Sequence, residues 1–360
     1  MQPIHCTSIE IQKDALVNVR QVETTIHLDD DPSAVLLEIE QFGLSANNIT
    51  YAILGDRFGY WGFFPGSEGY GIVPVWGFAK VIQSNSPELQ VGERVYGYLP
   101  MGSHLLVHAD KITAAGFSDS HPQRRSISPV YDHYMRCNAD PSFSESAMAW
   151  ILTFRPLFTT SFVLAYTLLD KLSSDQDKVW LTSASSKTAY GTAQILKALK
   201  PELRVIGVTS PPQRDFVIRS SCYDEVKTYE EASTGGLENA DWVLDFAGDQ
   251  KRLTDWRIGH QDADAKTILI GATDVQAQGL REKTSVGHVF FAPDEVRKFT
   301  REWGSETFHK RYAHHWLGFV EHFSTLLNAH KHHGPQAIVQ LYQQFLEGKI
   351  KPTDMHVLDF

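Results

Sequence analysis

Residues 178–210 read KVWLTSASSKTAYGTAQILKALKPELRVIGVTS. This stretch opens with a short apolar run at 178–181, passes through a turn of small residues, and has apolar positions at helical spacing over 192–199. A second run, rich in β-branched residues, follows at 204–208. A strand, a helix and a second strand in this order predict two parallel strands that are joined by a crossover helix.

The same alternation continues on both sides of this stretch. Apolar positions at helical spacing over 155–172 precede it, and another helix is expected at 215–221. Short strands are expected at 224–226, 241–246 and 267–270. Continuous apolar strands that alternate with helices are typical of a parallel sheet covered on both faces. The pattern therefore predicts an α/β domain with a doubly wound sheet.

The N-terminal third of the chain follows a different pattern. Short strands separated by Gly and Pro turns are expected within 34–40, 71–82, 91–98 and 103–108. Closely spaced strands of this kind predict a small β-barrel or sandwich. The polar, proline-containing stretch 118–140 is expected to be a loop or a domain connector.

The C-terminal tail is predicted to be mostly helical over 321–346. Seven of the 16 histidines lie between positions 309 and 333. Their spacing matches no known set of metal ligands, so we favour a solvated, mildly pH-sensitive helix face over a structural metal site.

Composition excludes several classes of protein. The chain has 360 residues, and its 33 Lys and Arg against 43 Asp and Glu give a net charge of −10, which argues against a nucleic-acid partner. Three widely spaced cysteines cannot form a disulfide framework, and this favours a reducing compartment. No signal peptide and no apolar window of about 20 residues is recognised, so we expect no membrane segment and a cytoplasmic location.

The turn after the first strand of the α/β domain is the candidate phosphate-binding loop. A glycine-rich turn is usual there, because absent side chains let the backbone approach a pyrophosphate. Here glycine is missing until Gly191, but hydroxyls and one lysine could contact phosphate directly. An ordinary strand–helix loop capped by serine is the alternative. The candidate residues are Ser183, Ser185, Ser186, Lys187 and Thr188.

The end of the second strand bears on the choice of cofactor. NAD-specific sites usually place Asp or Glu there to bind the ribose hydroxyls. This chain instead has Thr209, Ser210 and, slightly further on, Arg214. Hydroxyls and a guanidinium would bind a 2′-phosphate, so NADP(H) is preferred over NAD if a dinucleotide binds at all. A surface turn with an exposed arginine is the alternative.

Several segments together resemble the medium-chain dehydrogenase/reductase superfamily. They are FGLSANNIT at 42–50, VGERV at 91–95, RVIGVTS at 204–210, DFAG at 245–248 and GKIKP at 348–352. More narrowly, residues 46–51, Tyr60 with Trp61, and residues 183–189 resemble an uncharacterised branch known only as a domain of unknown function.

The resemblance implies a fold and a domain order. A GroES-like β-barrel domain with substrate and catalytic residues would occupy 1–147, and a Rossmann NADP-binding domain would occupy 148–300. Residues 301–360 would supply helices and a strand that return to the first domain. Relatives are frequently dimers, so a homodimer is a possible assembly.

The resemblance also bears on metal. Zinc-dependent members use a cysteine just after the first-domain glycine, a Gly-His-Glu segment and a cluster of four cysteines. Here Ser45 replaces the cysteine, residues 65–71 contain no histidine, and a cysteine cluster is absent. Since catalytic zinc needs about three protein ligands and strongly prefers thiolate or imidazole, we expect no metal and a likeness to the zinc-independent quinone and enoyl reductases.

Those reductases use a tyrosine in the first domain, and this chain offers Tyr51 and Tyr60, with Tyr51 ranked first. Tyrosine can donate a proton and Asn48 can hold a carbonyl oxygen, so the three are the candidate catalytic residues. Packing of the barrel is the alternative role for each aromatic residue. By position, the resemblance adds five further cofactor-binding candidates, which are Thr160, Ala247, Gly248, Gly271 and Thr273.

These observations predict a zinc-independent NADP(H)-dependent oxidoreductase that reduces an activated C=C or C=O bond in a small molecule. Enones, quinones and enoyl thioesters are the substrate classes considered. The glycine-poor turn keeps a second hypothesis open, a nucleotide- or partner-binding protein of the same fold without catalysis. A third hypothesis is non-redox chemistry with bound NADP.

Overall fold

The computed structural model describes residues 3–125, 130–174, 176–235, 240–260, 266–270 and 287–360. The strands are β1 (Ile4–Gln12), β2 (Val19–Ile26), β3 (Ala34–Leu44), β4 (Tyr70–Gly71), β5 (Pro74–Ser84), β6 (Arg94–Pro100), β7 (His104–Asp110), β8 (Gly116–Asp119), β9 (His133–Arg136), β10 (Lys178–Leu181), β11 (Arg204–Thr209), β12 (Glu225–Thr228), β13 (Trp242–Asp245), β14 (Lys266–Leu269), β15 (His288–Val289), β16 (Asn328–His333) and β17 (Asp354–Asp359). The helices are α1 (Ala46–Ile53), α2 (Met148–Leu169), α3 (Lys187–Leu199), α4 (Arg214–Arg219), α5 (Tyr229–Gly235), α6 (Gln250–His260), α7 (Ala292–Trp303), α8 (Ser305–Phe323) and α9 (Pro335–Leu346).

The chain divides into two units. Unit 1 consists of Met1–Thr153 with Asn328–Phe360, and unit 2 consists of Phe154–Leu327. The predicted functional division at 147/148 and 300/301 stays a prediction. The helices α7 and α8 belong to unit 2, where aromatic side chains of α8 pack on α2. Phe158 lies 5.3 Å from Trp316 and 4.9 Å from Phe319, measured between ring centroids.

Unit 1 is built on a closed antiparallel barrel. Its strands follow the order β3-β5-β6-β9-β8-β7, and the barrel closes because β3 also pairs with β7. Residues 34–37, the first four of β3, are fully buried, so this strand contributes to the core from its first residue. Strands β1, β2 and β4 form a separate small sheet. The predicted barrel is confirmed.

The C-terminal tail corrects one expectation. Residues 328–333, which carry three of the histidines, form the strand β16 and not a helix, and they pair in parallel with β17. In turn, β17 pairs with β3 of the barrel. In the register of this pair His330 lies opposite His356. The Nε2 of His332, two residues further along the same face of the strand, lies 2.9 Å from the Nδ1 of His356.

Unit 2 contains a six-stranded parallel sheet in the order β12-β11-β10-β13-β14-β15. Counted from β10, this is the order 3-2-1-4-5-6 of dinucleotide-binding folds. Trp180, Val208 and Val243 from three adjacent strands are buried together with Trp256 of α6. The predicted doubly wound sheet is confirmed, and with it the α/β fold class.

One helix bears on the expectation that the chain has no membrane segment. Residues 145–169, which include α2, are long and apolar enough to cross a membrane, although 61% of the most apolar window is buried inside the protein. A core helix of a soluble protein has the same properties, so the segment is weak evidence for a membrane.

The histidines of α8 are not all on a solvated face. His315 is 5% exposed, and its Nε2 lies 3.2 Å from the Tyr166 hydroxyl. Burial, with a smaller contribution from the nearby charges of His314 and Arg311, lowers the pKa of His315 to about 4. The neutral imidazole is therefore the form that the fold stabilises.

This pKa predicts a stability loss in acid. An unfolded histidine has a pKa of about 6.5, so the contribution is complete above that pH and is lost as the pH falls toward 4. We expect His315 to account for a fall of about 2–3 kcal/mol in the free energy of unfolding between pH 7 and pH 4. Denaturant unfolding of His315→Gln should show a flatter pH dependence than wild type. His309→Gln, which replaces an exposed histidine on the same helix, is the control. If the free energy of unfolding of His315→Gln changes with pH as steeply as that of wild type, the assignment is contradicted.

Candidate functional site

The carboxyl ends of three neighbouring strands define the candidate site in unit 2. Strands β10, β11 and β13 are parallel and in register, so they end at the same edge of the sheet. In doubly wound sheets, ligands bind at this edge, where the strand order reverses. Residues 182–186 follow β10, and residues 209–214 and 245–248 begin at the last residues of β11 and β13.

The turn between β10 and α3 has an unusual backbone. Ser183 has φ +47°, in the left-handed region that glycine adopts most easily. The Ser186 N–H donates to the Ser183 carbonyl over 2.8 Å, and the Ser186 hydroxyl accepts from the Ala189 N–H as the N-cap of α3. The turn thus has the left-handed backbone conformation that glycine usually provides, but the residue in that conformation is serine.

The donors of this turn fit a phosphate group. Ser183, Ser185, Ser186, Lys187 and Thr188 are all half-buried, so part of each side chain is accessible. Lys187 and Thr188 are the first residues of α3, whose initial N–H groups have no acceptor within the helix and carry its partial positive charge. Hydroxyl, ammonium and helix N–H donors together are suited to an anion.

The neighbouring helix α2 touches this loop. The Ser161 hydroxyl donates to the Thr188 carbonyl over 2.8 Å. Gly191 permits this approach, because a Cβ there would lie 2.8 Å from the same hydroxyl oxygen. Thr160, the predicted residue on α2, is half-buried, and its hydroxyl donates to the Pro156 carbonyl.

The residues after β11 are arranged around a charge pair. Thr209 is buried, and its hydroxyl donates to the Ser185 hydroxyl over 3.3 Å, so the two strand ends are joined. Arg214 is the first residue of α4, and its Nη2 lies 3.8 Å from Glu231 Oε1. Glu231 was missed in the sequence because it lies one strand further along the chain. The Thr228 N–H, and secondarily Arg214, lower the pKa of Glu231, which is therefore ionised near neutral pH.

A buried carboxylate fixes the end of β13. Asp245 Oδ1 accepts from the Thr182 hydroxyl over 2.5 Å and from the Ala247 N–H, and Oδ2 accepts from the Gly248 N–H. Thr182 Oγ1 in turn accepts from the Phe246 and Ala247 N–H groups. Burial raises the pKa of Asp245, although these hydrogen bonds oppose the shift. The N–H groups of Ala247 and Gly248 are thus used within the protein. Gly271 and Thr273 lie outside the described residues.

Removing the Thr182 hydroxyl should therefore destabilise unit 2. Thr182→Val keeps the shape but removes one of the donors to the buried Asp245 carboxylate and leaves the Phe246 N–H without its acceptor. We expect a loss of about 2 kcal/mol in the free energy of unfolding, measured by denaturant titration. Thr192→Val is the matched control, since the buried Thr192 hydroxyl only adds a bond to a helix carbonyl. Equal losses in both variants would contradict the special role of Thr182.

The candidate catalytic residues lie in unit 1. Asn48 is buried at the third position of α1, where its Oδ1 accepts from the Ser45 N–H over 2.8 Å in a capping box. Its Nδ2 donates to the Pro74 carbonyl over 2.9 Å. The structure therefore gives Asn48 a role in joining α1 to β5, and a catalytic role for it stays a prediction.

Tyr51 and Tyr60 do lie together. Their ring centroids are 4.6 Å apart, and both side chains are buried. The Trp76 Nε1–H donates to the Tyr51 hydroxyl over 3.4 Å, and the Tyr60 and Tyr131 hydroxyls are 3.5 Å apart. Burial raises the pKa of Tyr51 and of Tyr60, so both phenols keep their protons near neutral pH.

The sequence did not indicate that further tyrosines join this pair. Tyr98 from β6 lies 5.6 Å from Tyr51 and 4.8 Å from Tyr131, measured between ring centroids. Tyr98 lies on the buried strand β6, but nothing local in the sequence relates position 98 to position 131. Among the residues that the structure describes, no group of three or more His, Cys, Asp and Glu side chains could hold a metal ion.

The fold and the strand-end site together define the class as a barrel domain combined with a Rossmann domain, the arrangement of the medium-chain dehydrogenase/reductase superfamily. The predicted resemblance is confirmed at this level. A family model matches residues 42–351, and the chain belongs to that family, which is described as "Protein of unknown function (DUF2855)". A search of curated proteins gave no match.

Solved structures with the same fold are remote in sequence. CurA from Vibrio vulnificus, in complex with NADPH, matches with a TM-score of 0.62 at 15% identity, over 98% of each chain. The Etr1p/NADP/crotonyl-CoA complex matches with a TM-score of 0.58 at 15% identity, over 99% of this chain and 100% of that one. TarJ from S. aureus matches with a TM-score of 0.58 at 11% identity, over 99% of both chains. At these identities the likeness shows the fold.

Proposed function

We propose that this protein is an NADP(H)-dependent reductase. The observation that carries the proposal is the turn between β10 and α3, where half-buried hydroxyls, a lysine and a helix N-terminus occupy the phosphate-binding position of a dinucleotide-binding sheet. Two structural neighbours support it, since the CurA structure is an NADPH complex and the Etr1p structure contains NADP and crotonyl-CoA.

The pyrophosphate would be held by Ser185, Ser186, Lys187 and the first N–H groups of α3. The cofactor's 2′-phosphate would be held by Ser210 and Arg214, because no carboxylate ends β11. When bound, the cofactor would supply a hydride to a polarised double bond. Thr160, Ala247, Gly248, Gly271 and Thr273 stay predictions as further contacts, and so does the hydroxyl of Ser183.

Tyr51 is the side chain that we assign to proton delivery. Reduction of an activated C=C or C=O bond leaves an enolate, a carbanion or an alkoxide that needs a proton or a hydrogen-bond donor. A buried phenol that keeps its proton can supply one, and Tyr60 is the second candidate. We propose zinc-independent chemistry on enones, quinones or enoyl thioesters. A homodimer and a cytoplasmic location remain predictions.

A second candidate function is binding of a nucleotide or a partner without turnover. Its support is specific: the amide of Asn48 and the N–H groups after β13 all have partners within the protein. Fewer groups are then available for chemistry than the sequence predicts.

Cofactor titration separates these proposals. Binding of NADPH and NADH can be followed by tryptophan fluorescence, and we expect NADPH to bind in the micromolar range and NADH more weakly. A panel of enones, quinones, enoyl thioesters and aldehydes then tests turnover by the loss of NADPH absorbance. Millimolar binding of both cofactors would refute the reductase, and tight binding without turnover would favour the second candidate.

The charge pair at the end of β11 makes a sharper prediction. Arg214→Ala should weaken NADPH about tenfold to a hundredfold and NADH less than about twofold, because a charged hydrogen bond to the 2′-phosphate is lost. Glu231→Gln should instead tighten NADPH, because a competing carboxylate is removed. Arg219→Ala, an exposed arginine at the other end of α4, is the control. Equal losses for both cofactors in Arg214→Ala would refute this contact.

Tyr51 can be tested by its effect on turnover. Tyr51→Phe should lower kcat about a hundredfold, because general acid catalysis contributes at least that much, while KM changes little. Tyr342→Phe, which alters another buried tyrosine of unit 1, should leave both constants unchanged. Unchanged kinetics in Tyr51→Phe would leave Tyr51 as a packing residue.

A further inference from the structure

The turn after β10 holds a serine in a conformation that serine disfavours. Ser183 has φ +47°, whereas dinucleotide-binding turns normally place glycine at such a bend. A side chain in this region crowds its own backbone, so the conformation persists only where surrounding contacts fix it. The question is which groups fix it here.

Two tyrosine hydroxyls bind the backbone of this turn. The Ser183 N–H donates to the Tyr229 hydroxyl over 2.9 Å. The Tyr223 hydroxyl donates to the Ala184 carbonyl, also over 2.9 Å. The two tyrosines lie just before and just after β12, two strands away from the turn, so residues flanking one strand bind the backbone of the neighbouring residues Ser183 and Ala184. We call Tyr223 and Tyr229 the tyrosine clamp.

A glycine on the intervening strand makes room for the clamp. Gly207 lies on β11, between β10 and β12, and a Cβ at this position would come within 2.9 Å of the Tyr223 ring and 3.0 Å of the Ala184 Cβ. A side chain there would push the Tyr223 ring away from the turn. The loop itself has no glycine, but Gly207 on the neighbouring strand leaves the space that the Tyr223 ring occupies.

The Tyr229 ring is itself held in place. The Arg252 guanidinium lies over the ring, 4.2 Å from its centroid, and the Trp256 ring is nearly parallel to it at 6.3 Å. Tyr229 is also the first residue of α5, directly after the Thr228 N-cap. Burial raises the pKa of Tyr229 and of Tyr223, so both hydroxyls stay protonated. The Tyr229 ring is therefore held by its neighbours, and both hydroxyls of the clamp are uncharged.

We propose that Tyr229 and Tyr223 are positioning residues that hold residues 183–186 in the bend that glycine supplies in other dinucleotide-binding turns. The bend directs the hydroxyls of Ser185 and Ser186 and the N-terminus of α3 to one place, so the clamp preorganises the phosphate site. This consequence for the ligand rests on the proposed function. The Ser183 N–H is occupied by Tyr229 and is not a phosphate donor.

Crystal structures without cofactor test the clamp itself. In Tyr229→Phe we expect Ser183 to leave the left-handed region. In Tyr229→Phe with Ser183→Gly, we expect residue 183 to stay there, since glycine needs no clamp. Tyr166→Phe, which removes a half-buried hydroxyl elsewhere in unit 2, is the control. If Ser183 keeps its positive φ in Tyr229→Phe, the proposal is overturned. Should that variant not fold, Tyr223→Phe gives the same test at the Ala184 carbonyl.

NADPH titration tests the consequence for binding. Tyr229→Phe should weaken NADPH about tenfold, the effect of losing one preorganising hydrogen bond. Adding Ser183→Gly should restore the affinity to within about twofold of wild type. A loss that Ser183→Gly does not recover would overturn the positioning role. If wild type binds no NADPH, the proposed function fails, while the crystal structures still decide whether the clamp shapes the turn.

Discussion

The hydrogen bond between Thr182 and Asp245 is the contact on which the candidate site depends. It joins the first residue after β10 to the last residue of β13 over 2.5 Å, in a place from which water is excluded. A buried carboxylate is costly unless its oxygens are paired, and here backbone N–H groups and one hydroxyl pair them. Because the same hydroxyl also accepts two N–H groups, the ends of adjacent strands are fixed relative to each other. The turn that begins at Ser183 starts from this fixed point.

The turn after β10 in unit 2 lacks the glycine that usually permits its backbone conformation. A loop without glycine must bend as tightly as one with glycine, and the hydroxyls that could bind phosphate are attached to that loop. Tyr229 and Tyr223, from the flanks of β12, bind the backbone of the bend, and Ser161 of α2 binds the first turn of α3 that follows it. Side chains in the loop thus remain accessible while the backbone beneath them is held.

In unit 1 the candidate catalytic groups are tyrosine side chains from separate segments of the chain. Here the barrel collects phenols from separate parts of the chain, and Tyr51, Tyr60, Tyr98 and Tyr131 come into ring contact. Burial makes these phenols weaker acids, so each stays a neutral donor. Asn48 shows the opposite case, since a polar residue in a promising position is used to join α1 to β5. Residue type alone does not separate these two outcomes.

The sequence by itself determined the α/β class of unit 2 and the alternation of strands and helices along the chain that places the candidate turn. Runs at 178–181 and 204–208 are short, apolar and separated by one helix, and local periodicity is enough to specify such a unit. The hydroxyls of the turn and the absence of a carboxylate after β11 could also be read directly. These features depend on residues that are close together in the chain.

Only the tertiary structure decided which polar groups remain available. Glu231 beside Arg214, Tyr229 on the Ser183 N–H and His332 beside His356 are pairs brought together by strand crossovers. The histidine strand β16 was mistaken for helix because its neighbour β17 supplies the pairing that local propensity does not. Hydrogen bonds between distant residues are set by sheet order and register, which a single sequence does not encode locally.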